Sequence, residues 1–143
     1  MTEGTRTAAL NQYASLDAPV TVASGIEARM IEAESQLANG DPTWITTLNN
    51  ARATIGLAPL APAATPAGQQ DQLFRERAFW MYLTAHRLGD MRRLVRQYSR
   101  GAETVYPTGS YFKGGAYGTD VVLLPAVEEM NNPNWTGCTD KKA

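Results

Sequence analysis

The sequence predicts an all-α protein: a helical hairpin, one long central helix, and an irregular segment rich in glycine and aromatic residues. Apolar residues recur at helical spacing over 24–56 and again over 71–100. Capping residues, glycines and prolines punctuate both patterns. A single short apolar run, 121–124, could form a strand or an extended segment that lies on the helices, and it has no evident partner strand. We therefore expect no sizeable sheet.

The composition favours one globular domain over residues 1–143, since 43% of the residues are hydrophobic and 19% are charged. Thirteen Lys and Arg against fourteen Asp and Glu give a net charge of −1, so bulk charge predicts no nucleic-acid or anionic-membrane partner. The single cysteine, Cys138, excludes a disulfide framework within the chain. The first ten residues lack the basic and apolar regions of a signal peptide.

The first helix is predicted over 25–39, after a loop or arm at 1–23. Ser24 is a favourable N-cap, and Glu27 stands three residues later, where a capping box requires it. Gly40 is a typical stop. The apolar stripe between them is Ile26, Met30, Ala33 and Leu37.

The second helix follows at once and ends at Gly56. Asp41 can cap it and Pro42 suits its first turn. Its stripe is Trp44, Leu48, Ala51 and Ile55. Two helices of similar length joined by a Gly-Asp-Pro turn predict an αα-hairpin, 24–56, whose stripes must pack on each other.

A proline- and alanine-rich linker is expected over 57–70, because each of its three prolines fixes φ and removes a donor. The long helix is then expected over 71–100. Its stripe is Phe74, Ala78, Met81, Ala85, Leu88, Met91, Val95 and Tyr98. Because Leu73, Trp80 and Leu83 lie on other faces, it should be central. Gly89 is the expected point of a kink or division. The tail, 101–143, reads as loops.

His86 and Asp90, four residues apart, share a helix face. A catalytic interpretation makes Asp90 orient His86 as a general base, but it needs a nucleophile. The candidates are generic: Thr84, Ser99, Ser110 and Cys138. We favour the alternative, a structural ion-pair network in which Asp90 holds His86, Arg87 and Arg93. The expected effect of His86→Ala is then lower stability rather than lost activity, and no enzyme is predicted.

The segment 75–100 holds seven arginines and two acids. A phosphate or nucleic-acid face is one interpretation. We favour a solvated face paired with the acidic C-terminal part, because no groove-reading motif accompanies the arginines. No set of spaced His and Cys ligands and no phosphate-binding glycine loop is present, so neither a metal nor a cofactor is predicted.

The aromatic residues of the tail are the best candidate ligand-binding group. Flat apolar rings with polar tips suit the C–H face and hydroxyl rim of a sugar. Packing of a glycine-rich loop onto the helices is the alternative, and rings most often serve that purpose. The candidates are Tyr106, Tyr111, Phe112, Tyr117 and Trp135.

Four ordered blocks over 26–135 resemble the SusD/RagB-like family of outer-membrane nutrient-binding lipoproteins. The matching segments are Ile26–Arg29 with Ile31–Glu34 before Gly40-Asp41, Leu48–Arg52 before Ile55–Leu57, Arg75–Arg77 with His86–Arg93, and Leu123–Ala126 with Glu128 or Glu129 before Asn132–Asn134. The sequence departs from the family at Trp80, Thr84 and Ala85. The chain resembles only the C-terminal part of the longer family members.

The resemblance implies a non-enzymatic, surface-exposed protein of the bacterial outer membrane, with tetratricopeptide-like hairpins. It implies binding of a glycan or other nutrient as partner of a SusC-type TonB-dependent transporter. It also implies a lipid anchor on an N-terminal cysteine that this chain lacks, and a longer protein. Cys138 could pair with a cysteine in the missing part, but we favour a buried or unpaired thiol. A helical protein–protein interaction module that docks through the arginine-rich helix is the alternative function.

Overall fold

The computed structural model describes residues 15–117 and 131–136, and this part of the chain is helical, with no strand longer than an isolated bridge. The chain divides into two compact units, Met1–Leu60 and Ala61–Ala143. The prediction of an all-α fold is confirmed. Among the described residues no helix is long and apolar enough to cross a membrane.

The first unit contains α1, Gly25–Ala38, and α2, Trp44–Ala53, which pack against each other as the predicted hairpin. The Ser24 hydroxyl accepts from the Glu27 amide at 3.1 Å, which confirms the predicted N-cap. Residues 15–23 contain no helix or strand, as expected for an arm, and the expected arm residues 1–14 lie outside the described part.

Both predicted glycine stops are confirmed, because α1 and α2 each end in a Schellman motif. Gly40 has φ +71° and the Asp41 amide donates to the Gln36 carbonyl at 2.9 Å. Gly56 has φ +72° and the amide of the next residue donates to the Arg52 carbonyl at 3.1 Å. The left-handed conformation that both motifs require is one that glycine adopts without strain.

The core of this unit is formed mainly by the predicted stripes: Met30, Ala33, Trp44, Leu48 and Ala51 are buried. Ile55 is the exception and is exposed. The physical reason is that α2 ends at Ala53, two residues earlier than the stripe, so the closing turn carries Ile55 off the helix face.

The second unit contains α3, Pro66–Trp80, α4, Arg87–Arg96, and a short α5, Ala102–Val105. The expected linker over 57–70 is therefore too long, because α3 begins at Pro66. Thr65 caps this helix by accepting from the Gly68 amide at 3.1 Å, and Pro66 occupies the first helical position, where its missing N–H has no cost.

The single helix expected over 71–100 is wrong, because 81–86 separates α3 from α4. Gly89 is not the dividing residue and lies within α4. Leu83 and Ala85 instead have φ values of +58° and +65°, which no α-helix accommodates. The Met81 carbonyl accepts from the Thr84 hydroxyl at 2.6 Å and from the Thr84 amide at 3.3 Å, so a local turn satisfies this carbonyl within the break.

Two amide side chains, Asn49 and Gln72, hold the extended segment between α2 and α3. Within the first unit, the Asn49 amide accepts from the Leu60 N–H at 2.8 Å and donates to the Leu60 carbonyl at 3.0 Å. Within the second, Gln72 accepts from the Ala63 N–H at 3.0 Å and donates to the Ala61 carbonyl at 2.9 Å. Side chains thus satisfy backbone groups that a proline-rich segment cannot pair with itself.

Candidate functional site

The charged residues of α3 and α4 form a buried cluster centred on Asp90. Arg77 donates to both Asp90 oxygens, from Nε to Oδ2 at 3.0 Å and from Nη2 to Oδ1 at 2.9 Å. Arg93 donates from Nη1 to Oδ1 at 3.3 Å. The side chains of Arg77 and Asp90 are 3% and 6% exposed, whereas that of Arg93 is 30% exposed. The cluster therefore holds α3 to α4.

Arg93 is a predicted partner of Asp90, but sequence reasoning missed Arg77. Arg77 lies three residues after Phe74 and four before Met81, so it stands on the apolar stripe of α3. A charge at a core position of the stripe is the signal that could have identified it, since buried charges are paired. Arg87, also predicted in this network, begins α4 and is exposed.

His86 lies at the start of α4, where its Nδ1 is 2.7 Å from the Thr84 hydroxyl oxygen. The proton of that hydroxyl is already donated to the Met81 carbonyl. A hydroxyl has one proton to donate, so with that proton on the Met81 carbonyl the Thr84 oxygen accepts from Nδ1 of His86. His86 and Thr84 therefore contact each other at the start of α4, next to the break between α3 and α4.

The tail brings three of the five predicted ligand-binding residues together. The Tyr111 ring contacts the rings of Phe112 and Tyr117 edge to face, with centroids 4.7 and 5.3 Å apart. Two backbone hydrogen bonds close the turn that joins them. The Tyr111 amide donates to the Gly115 carbonyl at 2.9 Å, and the Tyr117 amide donates to the Gly109 carbonyl at 3.0 Å. We call Tyr111, Phe112 and Tyr117 the ring platform.

The ring platform is accessible to a ligand. Phe112 is 80% exposed and Tyr117 is 40% exposed, while Tyr111 between them is half-buried. Gly114 and Gly115 have φ values of +101° and +81°, so the reversal of the chain depends on glycine at these positions. A short glycine turn thus presents two rings on the support of a third.

Tyr106 and Trp135 do not join the ring platform within the described residues. Tyr106 follows α5, and burial raises the pKa of its phenol against the opposing positive charges of Arg92 and Arg96. Its hydroxyl has no hydrogen-bond partner among the described residues. Trp135 is half-buried, and its amide donates to the Asn132 carbonyl at 3.0 Å. Of the five predicted ligand-binding residues, only Tyr111, Phe112 and Tyr117 are shown in contact with one another in the described part of the chain.

A second candidate site, which sequence reasoning missed, lies at the break between α3 and α4. It is a groove of about 810 Å³, here called the break groove, lined mainly by apolar atoms. Phe79, Tyr82 and Leu83 are 66%, 62% and 49% exposed. The residues that matter most in its lining are Phe79, Met81, Tyr82, Leu83, His86 and Arg87.

The sequence carried an early signal of this groove. Apolar residues on several faces of 71–100 predict a central, buried helix. The structure buries Leu73 but leaves Phe79, in the last turn of α3, and Leu83, within the break, exposed. Phe79 and Leu83 thus line the groove at the break, and they do not pack into a core around a central helix.

Several sequence predictions fall on residues outside the described part of the chain. These are the possible strand at 121–124, the closing block Leu123–Ala126 with Glu128 and Glu129, and Cys138. Within the described part, no group of three or more His, Cys, Asp or Glu is placed to hold a metal ion.

Comparison of the chain with protein-family models, with curated proteins and with solved structures finds no match.

Proposed function

We propose that this chain binds a glycan or another nutrient at the bacterial outer membrane, as the partner of a SusC-type TonB-dependent transporter, and that it is not an enzyme. The observation that carries the proposal is the ring platform: two exposed rings held edge to face by Tyr111 on a turn closed by backbone hydrogen bonds. The resemblance of four sequence blocks to the SusD/RagB-like family supports the same function.

The ring platform suits a sugar because rigid rings offer apolar area at low entropic cost, while the tyrosine hydroxyls supply polar tips. Lys113 adds a cation above the Phe112 ring, 5.5 Å from its centroid, and offers a hydrogen-bond donor at the edge of the platform. Phe112 and Tyr117 stack on the sugar in this proposal, and Tyr111 holds them in place.

Calorimetry of the protein with cellohexaose, maltoheptaose and xylohexaose tests the proposal. One of these probes should bind, and Phe112→Ala or Tyr117→Ala should each weaken binding by about tenfold, the equivalent of one ring contact. Phe79→Ala is the matched control, because it removes an exposed ring outside the platform. Equal loss in the control, or no affinity for any neutral oligosaccharide, would contradict glycan binding.

The alternative is a helical interaction module that docks another protein through α4. Arg87 and Arg96 at its two ends are exposed, which favours an acidic partner surface. Co-purification with a SusC-type transporter is expected under either function. Its survival in the Phe112→Ala/Tyr117→Ala double variant, together with the absence of sugar binding, would favour the interaction module.

A further inference from the structure

We propose that the break groove binds an amphipathic carboxylate, a molecule with one anionic head and an aliphatic or aromatic body. This site is separate from the ring platform and does not depend on glycan binding. Its volume of about 810 Å³ lies within the range of small-molecule sites. Its wall is formed by the exposed side chains of Phe79, Tyr82 and Leu83.

The exposed apolar wall of the groove indicates that the body of the ligand is apolar. Three large apolar side chains within five residues of chain are about half or more exposed, which is an unusual concentration of apolar surface. Leu83 is also held at φ +58°, a conformation that costs a leucine about 1–2 kcal/mol. An apolar ligand that covers this wall would recover the free energy of removing it from water.

The head of the ligand follows from the charges around the groove. On its floor, Arg77 and Asp90 neutralise each other through two hydrogen bonds. Arg87 is exposed and lines the groove. The guanidinium of Arg75 lies 5.8 Å from the centroid of the Phe79 ring, in an adjoining depression that Arg87 also lines. Asp71 also lines that depression, where its carboxylate accepts from Arg100 at 2.6 Å. Arg87 and Arg75 thus place two cations beside the apolar wall, against one carboxylate that is already paired with Arg100.

An apolar wall beside a cationic rim disfavours both polyanions and neutral amphiphiles. A nucleic acid or polyphosphate needs a polar, multiply charged track, and the mostly apolar lining of the break groove would leave such charges unpaired. A neutral amphiphile would leave the cationic rim unused. A single carboxylate beside Arg87, with its apolar body along Phe79 and Leu83, matches both features.

Three decyl compounds with different heads test the proposal: decanoate, decyl maltoside and decyltrimethylammonium, each below its critical micelle concentration. We expect decanoate to bind at least about tenfold more tightly than the other two, and its chemical-shift changes to centre on 79–87 rather than on 109–117. Arg87→Gln should weaken decanoate about fivefold and leave decyl maltoside unchanged. Arg96→Gln, which changes an exposed arginine outside the groove lining, should have no effect.

Leu83→Gly tests the wall without endangering the fold, because glycine relieves the positive φ while it removes the apolar side chain. This variant should keep or raise the Tm and weaken decanoate at least about threefold. The proposal is overturned by equal binding of the three compounds, by equal effects of Arg87→Gln and Arg96→Gln, by unchanged affinity in Leu83→Gly, or by no decanoate binding at all.

Discussion

Arg77 and Asp90 form a bidentate, buried ion pair across the break between α3 and α4, with donor–acceptor distances of 3.0 and 2.9 Å. Thirteen residues separate them, and in an uninterrupted helix that separation would place them roughly 20 Å apart along the axis. The ion pair and one continuous helix therefore exclude each other. The chain turns back after Trp80, and the pair then holds the two helices together.

Removing one partner of this ion pair should destabilise the protein strongly. Asp90→Asn removes the carboxylate that neutralises the buried Arg77, and Arg77→Met leaves the buried Asp90 with only the longer contact to Arg93. For each we expect a loss of about 3–5 kcal/mol in the free energy of unfolding. Arg93→Gln is the matched control and should cost no more than about 1 kcal/mol, because its contact is longer and more exposed. Urea unfolding measures all three variants, and similar losses for Arg77→Met and Arg93→Gln would contradict a dominant buried pair.

Two glycines in open surroundings should respond in opposite directions to alanine. Neither Gly40 nor Gly89 has a neighbouring atom where a Cβ would stand, so only the backbone conformation differs. Gly40→Ala should lower stability by about 1–2 kcal/mol, because φ +71° is unfavourable for alanine. Gly89→Ala, inside α4, should raise it by about 0.5–1 kcal/mol. Thermal unfolding shows the two signs, and a destabilising Gly89→Ala would argue against a regular helix there.

The Asn49 side chain should matter more than that of its neighbour Asn50. Asn49→Ala removes both hydrogen bonds to Leu60 and leaves partly buried backbone groups unpaired, which should cost about 1–3 kcal/mol. Asn50 is exposed, and Asn50→Ala should change stability by less than about 0.5 kcal/mol. Amide hydrogen exchange at Leu60 gives an independent measurement. Its protection should fall in Asn49→Ala only. Equal protection in both variants would contradict a stabilising role for the two Asn49–Leu60 hydrogen bonds.

Tyr98 should make the protein sensitive to alkali. Burial raises the pKa of its phenol, although the positive charges of Arg93 and Arg77 oppose the shift. A raised pKa means that the folded state favours the protonated phenol, so this contribution to stability is complete below about pH 10 and is lost as the pH rises through the folded-state value. The ring packs edge to face on Phe74 at 5.2 Å, which keeps the phenol in partly buried surroundings.

The measurement compares urea unfolding of the wild type and of Tyr98→Phe from about pH 8 to 11. The stability difference between them should be constant at the lower values and should move in favour of Tyr98→Phe at the higher ones. A constant difference over the whole range would show that Tyr98 does not titrate with a raised pKa.

The helix ends of the first unit could be predicted because they depend on few residues close in sequence. The Ser24 cap is completed within three residues, and the Schellman motifs at Gly40 and Gly56 are each completed within five. The short turn between α1 and α2 then leaves their stripes only each other to pack on within this unit.

The ring platform was partly predictable for the same reason. Tyr111, Phe112 and Tyr117 lie within one glycine turn, so local geometry brings them together. Tyr106 differs because its surroundings include Arg92 and Arg96 of α4, ten or more residues away. The spacing of aromatic residues in the sequence does not show that Tyr106 lies near α4 while Tyr111, Phe112 and Tyr117 lie together.

Local chemistry thus specified the helical class, the caps and the glycine turn, since each is an interaction among residues a few positions apart. The break at 81–86 carries neither glycine nor proline, and it brings a buried arginine of α3 within hydrogen-bond distance of Asp90 of α4. Leu83 and Ala85 have positive φ values although both residue types favour helices, and the break groove lies at this interruption. Whether Arg77 pairs with Asp90 depends on how the two helices pack, because the two residues are thirteen positions apart. Only the tertiary structure shows that packing.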